Sequence, residues 1–174
     1  MSSNRSDTIL EQIAQAKKSD ASALSESKDA YIVFRIFNEY FALPIENVRY
    51  TMPVGKITPV PDTPQFLLGI TNVMGEIISV VDIFDFIFQK PLPPDRGKAF
   101  LLLIKWKDID TSFVVSDLMD MLLFEKAEIK LDMLPLSKEK KNYFVGGAFW
   151  DGKIIGVLNL EKILTSERMR FGEE

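Results

Sequence analysis

The sequence predicts an all-β fold made of two small barrels of about five strands each, packed on one another. Three observations predict it. Residues 69–82, Gly69-Ile-Thr-Asn-Val-Met-Gly-Glu-Ile-Ile-Ser-Val-Val-Asp82, read as a strand, a tight turn at Met74-Gly75 and a second strand closed by an acid. A related pattern returns 77 residues later: Gly75, Ile77, Ile78, Val80, Val81, Asp82, Ile83, Phe86 and Ile87 meet Gly152, Ile154, Ile155, Val157, Leu158, Asn159, Leu160, Ile163 and Leu164. Upstream, Leu43, Ile45 and Val48 meet Phe113, Val115 and Leu118 at an offset of 70. The change of offset implies seven extra residues in the later loop, within 126–141. A barrel of this size buries too little by itself, so the two copies must share a core.

The elements follow in order. Residues 1–29 hold seven Ser and no aromatic residue, which predicts a flexible N-terminal tail. Ile9, Leu10 and Ile13 fall on one side of a short helix capped by Asp7 or Thr8, so the alternative is a docking helix that folds on a partner. Order is expected from Tyr31. Residues 31–37 and 40–45 are strands about an Asn38-Glu39 turn, and residues 48–52 form a third strand. Pro53, Gly55, Pro59, Pro61 and Pro64 make a connection that excludes regular helix and central strand. Residues 66–68 read as one helical turn, 70–74 and 77–81 as a hairpin, and 83–88 as a short apolar helix capped by Asp82. After the connector 90–97 come strands over 99–106, 111–115 and 119–124. Residues 126–141 are charged, apart from the apolar island Met133-Leu134-Pro135-Leu136. Residues 143–149 and 153–158 form a hairpin about Asp151-Gly152, and residues 161–169 form a C-terminal helix.

Composition narrows the function. The chain of 174 residues is 47% hydrophobic with 13 Phe, enough for a real core. A net charge of −4 with scattered Lys and Arg argues against a nucleic-acid partner. Without Cys there is no disulfide or thiolate metal site, and without His the commonest general base and metal ligand is missing. The acids show no metal-loop spacing. No catalytic set accompanies either repeat, so neither an enzyme nor a cofactor or metal is expected. No signal-peptide core or membrane-spanning run appears, which predicts a soluble cytoplasmic protein.

In their order and spacing, Tyr31-Ile-Val-Phe34, Thr63-Pro-Gln-Phe66, Gly69-Ile-Thr-Asn72, Gly75, Val80-Val-Asp82, Phe113-Val-Val115 and Leu158-Asn-Leu-Glu-Lys-Ile-Leu164 resemble the CheW family of chemotaxis coupling proteins. The resemblance covers residues 31–168 and assigns 30–170 to one CheW-like domain behind the tail. It implies two intertwined five-stranded SH3-like β-barrels with short helices and a C-terminal helix. It also implies a non-enzymatic adaptor between the cytoplasmic tip of a methyl-accepting chemoreceptor and the regulatory domain of the histidine kinase CheA, reaching membranes only through its receptors. That domain shares the fold, so coupling would run through pseudo-symmetric barrel-to-barrel contacts. Two departures stand out: the family usually has Arg at Met74 and often Pro at Ser79. A coupling protein of a related pathway controlling pili, gliding or gene expression fits the same residues. So does a sensor that holds a small molecule between the barrels.

The resemblance places a receptor groove beside Val48 and Tyr50, with Met74 in the adjoining turn and Leu118 and Met121 on the other barrel. The competing reading puts Val48 in the barrel core. Leu134 and Leu136 are either a kinase-docking patch or a staple tucked onto the core. Asp82 reads as a helix cap, since its repeat partner Asn159 can cap but cannot act as a base.

Overall fold

The computed structural model describes residues 3–19, 28–92 and 98–170. Among them ten strands are formed: β1 (Lys28–Ile36), β2 (Glu39–Pro44), β3 (Val48–Pro53), β4 (Leu67–Val73), β5 (Glu76–Val81), β6 (Phe100–Trp106), β7 (Ile109–Val115), β8 (Asp117–Glu125), β9 (Phe144–Trp150) and β10 (Lys153–Leu158). Four α-helices accompany them among the described residues: α1 (Ser3–Ser19), α2 (Ile83–Phe88), α3 (Lys138–Lys141) and α4 (Leu160–Leu164).

The strands assemble into two five-stranded sheets of identical plan. The first has the order β8-β1-β2-β10-β9 and the second β3-β6-β7-β5-β4. Each sheet therefore takes two strands from one half of the chain and three from the other, so neither half folds alone. The shifts in register repeat as well. Pairing slips at Arg49 between Val48↔Ile104 and Tyr50↔Leu103, and at Met119 between Leu118↔Phe34 and Asp120↔Val33. It slips again at Leu68 and at Val145, whose flanking pairs Leu67↔Val81 and Phe144↔Leu158 are 77 residues apart. A bulge bends a strand and raises its twist, and here it curls each sheet onto itself.

Closure comes from one bridge per barrel, Thr58↔Ile70 in the second sheet and Lys130↔Gly147 in the first. At both bridges the backbones approach so closely that only hydrogen fits. A Cβ on Gly69 would overlap the Thr58 carbonyl oxygen, and one on Gly146 would lie 2.8 Å from the Lys130 carbonyl carbon. The hairpin turns are equivalent too. Met74-Gly75 has φ of 52° and 89°, and Asp151-Gly152 has 48° and 71°. These are the left-handed pairs that let a two-residue turn follow the strand twist.

A single large cluster joins the barrels. Phe34, Phe41, Leu43, Phe86, Leu102, Ile104, Phe113 and Leu158 lie in it, with Phe41 stacked on Phe144 at 6.3 Å. Helix α2 contributes Ile83, Phe84, Phe86 and Ile87 to it. Asp82 caps α2, its carboxylate accepting from the Asp85 amide at 2.9 Å and from the Leu92 amide at 2.7 Å. Asn159 caps α4 in the same way, accepting from Lys162 at 3.1 Å.

Four sequence expectations need correction. Where a flexible tail is predicted, Ser3–Ser19 is helical and buries Ile9 and Ile13, and Lys28 to Ala30 already belong to β1. The rest of the expected tail and most of the 90–97 connector lie outside the described residues. Residues 66–68 form no helical turn. Leu67 opens β4 instead, because Asp82 donates its amide to the Phe66 carbonyl and fixes an extended entry. The C-terminal helix is shorter than 161–169. It stops at Leu164, and Ser166 caps a separate 3-10 turn at Glu167–Met169. The island 133–136 is no exposed patch, because Leu134 is buried and Leu136 is packed against the main cluster.

Candidate docking trough between the barrels

Strands β3 and β8 are equivalents, and each forms one edge of its sheet. Val48 and Leu118 are fully buried in the shared cluster, at the ends of β3 and β8 nearest the barrel junction. Their neighbours differ in exposure. Tyr50 is 44% exposed, and Met121 is half-buried. The expected groove residues thus divide into a buried floor, Val48 and Leu118, and two more accessible residues further along the same strands, Tyr50 and Met121, called the wall below. Met74 sits apart at the tip of the β4–β5 hairpin and is 85% exposed.

A charge network that the sequence reading missed connects that hairpin to the wall. Arg49, at the bulge of β3, donates to Asp110 at 2.7 Å and to Glu76 at 3.2 Å. Glu76 opens β5 directly after the Met74-Gly75 turn. Lys105 adds a second cation 3.6 Å from Asp110. The Asp110 contact first, then Glu76, raises the Arg49 pKa above its ordinary value. Its guanidinium also lies 5.4 Å from the Tyr50 ring centre, so the tyrosine is held face-on by a cation. A bulge turns the Arg49 side chain out of the strand's alternation, and three residues from three strands share no sequence spacing that would announce the network.

The trough is occupied. α1 packs against β8 and against the 3-10 turn at Ile45–Asn47 that runs into β3. Ile9 and Ile13, one helical turn apart, join the cluster that holds Val48 and Leu118. Leu10 is half-buried beside them.

Elsewhere the surface carries apolar residues on the hairpins. Ile77 follows Met74 on the β4–β5 hairpin, and Ile154 is its counterpart on β10. Phe149, paired with Ile154 across the strands, is 62% exposed, and Val145 and Leu131 are exposed nearby. The repeat would have located this pair, because offset 77 maps Asn72↔Ile77 onto Phe149↔Ile154. Leu134 has no such access, and the Lys130↔Gly147 bridge clamps its loop to β9.

The chemistry of the described residues is sparse. No group of acids could hold a metal ion among them. Both carboxylate oxygens of Asp82 accept backbone amides. Burial raises the Asp85 carboxyl above the usual carboxylate value, and the nearby charge of Arg168 partly counters it. A cavity of about 330 Å³ lies between β5, β7 and the segment after α4, lined by Ser79, Thr111, Leu164 and Met169 among others. It shares no lining residue with the trough.

Two sheets of five strands, interleaved from both halves of the chain and joined over one core, define a double-barrel module that offers surfaces for contact. The chain belongs to the CheW family: the model of the CheW-like domain matches residues 30–168. Chemotaxis protein CheW of Thermotoga maritima is 26% identical over 155 residues, covering 89% of this chain and 99% of that protein. Protein FrzA of Myxococcus xanthus is also 26% identical over 155 residues, covering 85% of this chain and 92% of its own. The crystal structure of scaffolding protein TtCheW from Thermoanaerobacter tengcongensis superposes with a TM-score of 0.70 at 22% identity, over 81% of this chain and 95% of that one.

Proposed function

We propose that the protein is a non-enzymatic adaptor that couples the cytoplasmic tip of methyl-accepting chemoreceptors to the regulatory domain of a CheA-type histidine kinase. The observation that carries this reading is that β3 and β8, one edge strand of each sheet, bring Val48 and Leu118 into one buried cluster on which a helix, α1, already packs, with Tyr50 and Met121 more exposed on the same strands. The receptor contact is assigned to Tyr50, Met121 and the floor residues Val48 and Leu118, with Met74 at the rim. The kinase contact moves from Leu134 and Leu136 to the β9–β10 hairpin, where Val145, Phe149 and Ile154 are exposed, with Leu131 exposed on the 3-10 turn packed against β9. Both partners place the protein in the cytoplasm, and no helix among the described residues is long and apolar enough to cross a membrane.

A second reading, a coupling protein of a chemotaxis-like pathway for pili, gliding or gene expression, is favoured by Met74. It is exposed where the family usually has Arg, so the receptor would meet a soft apolar tip in place of a hydrogen-bonding fork. The sensor reading finds less support, because the inter-barrel trough already holds a helix of the chain itself.

Isothermal titration of the full chain against a kinase regulatory domain and against a receptor cytoplasmic-hairpin fragment tests the proposal. Binding to both, with Phe149→Asp abolishing only the kinase contact, is expected. Binding to neither refutes it. Binding of standard receptors improved by Met74→Arg would favour the second reading.

A further inference from the structure

We propose that α1 is a built-in occupant of the docking trough, and that a partner's helix reaches β8 and the start of β3 by displacing it. This rests on the adaptor reading above. Ile9 and Ile13 are buried in the same cluster as Val48 and Leu118, the two floor residues. The elements that α1 packs on are β8, an edge of one sheet, and the Ile45–Asn47 turn entering β3, an edge of the other. The helix therefore covers the junction of the barrels and excludes a second helix from the same floor.

The seating is shallow. Of residues 7–15 only Ile9 and Ile13 are buried, while Asp7, Thr8, Glu11, Gln12, Ala14 and Gln15 are exposed. Over the described side chains the face is Ile9 and Ile13 with Leu10 half-buried beside them, and a face that narrow opens more readily than a broad stripe. The occupant that can replace it is a helix presenting large aliphatic residues at the same i, i+4 spacing over a longer face. Displaced α1 stays tethered, because residues 20–27 join it to β1, the strand paired with β8. Eight residues reach at most about 28 Å, so the helix remains a local competitor. The partner's apparent affinity then falls by the fraction of molecules whose trough is open. The N-terminal segment sets how strongly the adaptor engages its receptor, with no change in the contacts themselves.

The test uses the full chain in three forms: wild type, Ile9→Ser/Ile13→Ser, and Ala14→Pro. The last breaks the helix at an exposed position and leaves both isoleucines in place, so a folding failure of the double variant does not end the experiment. Hydrogen exchange should show slow amides over residues 9–15 in the wild type and fast ones in both variants, with β1 and β8 equally protected. Titration with a soluble cytoplasmic-hairpin fragment of a methyl-accepting chemoreceptor should give about tenfold tighter binding to the variants. Saturating the wild type should speed exchange in α1. Equal affinity in all three forms, or α1 amides that exchange as fast in the wild type as in the variants, overturns the proposal. A fragment that binds none of them overturns the receptor reading, and this proposal with it.

Discussion

Met74-Gly75 in one barrel and Asp151-Gly152 in the other close equivalent hairpins with nearly the same backbone, φ 52° and 48° at the first residue. The side chains placed on that backbone differ in kind. Asp tolerates the left-handed region because its short polar side chain bonds locally, and Asp151 also lies 3.5 Å from Lys153. Met has no such relief, and Met74 projects into solvent. The same turn is thus relaxed in one barrel and strained in the other. That strain falls at an exposed apolar tip two residues before Glu76 of the Arg49 network. The comparison shows which features belong to the fold, since both barrels have them, and which belong to one barrel's task.

The closing glycines give the largest test of that separation. Gly69 has φ of 142° and Gly146 has no positive φ, although both meet the crossing backbone. Gly69→Ala should cost more than about 3 kcal/mol and Gly146→Ala about 1–3 kcal/mol, measured by urea unfolding. Equal small losses would show that the barrels are not closed by these bridges.

The two caps come next. Asp82 is buried and accepts two amides, whereas Asn159 accepts one on a half-exposed cap. Asp82→Ala should lose about 2–3 kcal/mol and Asn159→Ala about 1 kcal/mol in the same assay. An Asn159 loss as large as that of Asp82 would erase the asymmetry.

Smaller still is the turn itself. Met74→Asn should stabilise by about 0.5–1 kcal/mol and Asp151→Met destabilise by a similar amount. If Met74→Asn leaves the melting temperature unchanged, the turn holds no strain.

Much of the common plan was legible in the sequence, and most of what distinguishes the barrels was not. The 77-residue offset located both hairpins, both turns and the cap pair Asp82 and Asn159, because each depends on local chemistry that recurs in the same order. Gly69 and Gly146 also recur at that offset, yet their role lies in a backbone crossing that no local pattern reveals. The N-terminal helix was half legible. Ile9 and Ile13 have helical spacing, but a two-residue face becomes buried only when the trough supplies its other side. Leu134 looked like an exposed island among charges, since charge says nothing about which loop residue turns inward. Arg49, Glu76 and Asp110 come together from three strands and could be found only by folding. Of the groove residues named from the resemblance, the structure brings Val48 and Leu118 into one cluster with Tyr50 on the wall, and leaves Met74 on a neighbouring tip.

We propose the junction of β3 and β8 as the place where a receptor helix docks, and Tyr50 is the most direct handle on it. Tyr50→Ala should leave the urea midpoint nearly unchanged, within about 0.5 kcal/mol, because the side chain is 44% exposed and belongs to none of the core clusters. Titrated with a receptor cytoplasmic-hairpin fragment, the same variant should bind about 30-fold more weakly, the loss of roughly 2 kcal/mol expected of an aromatic anchor. A stable Tyr50→Ala protein that binds the fragment as tightly as the wild type would contradict it.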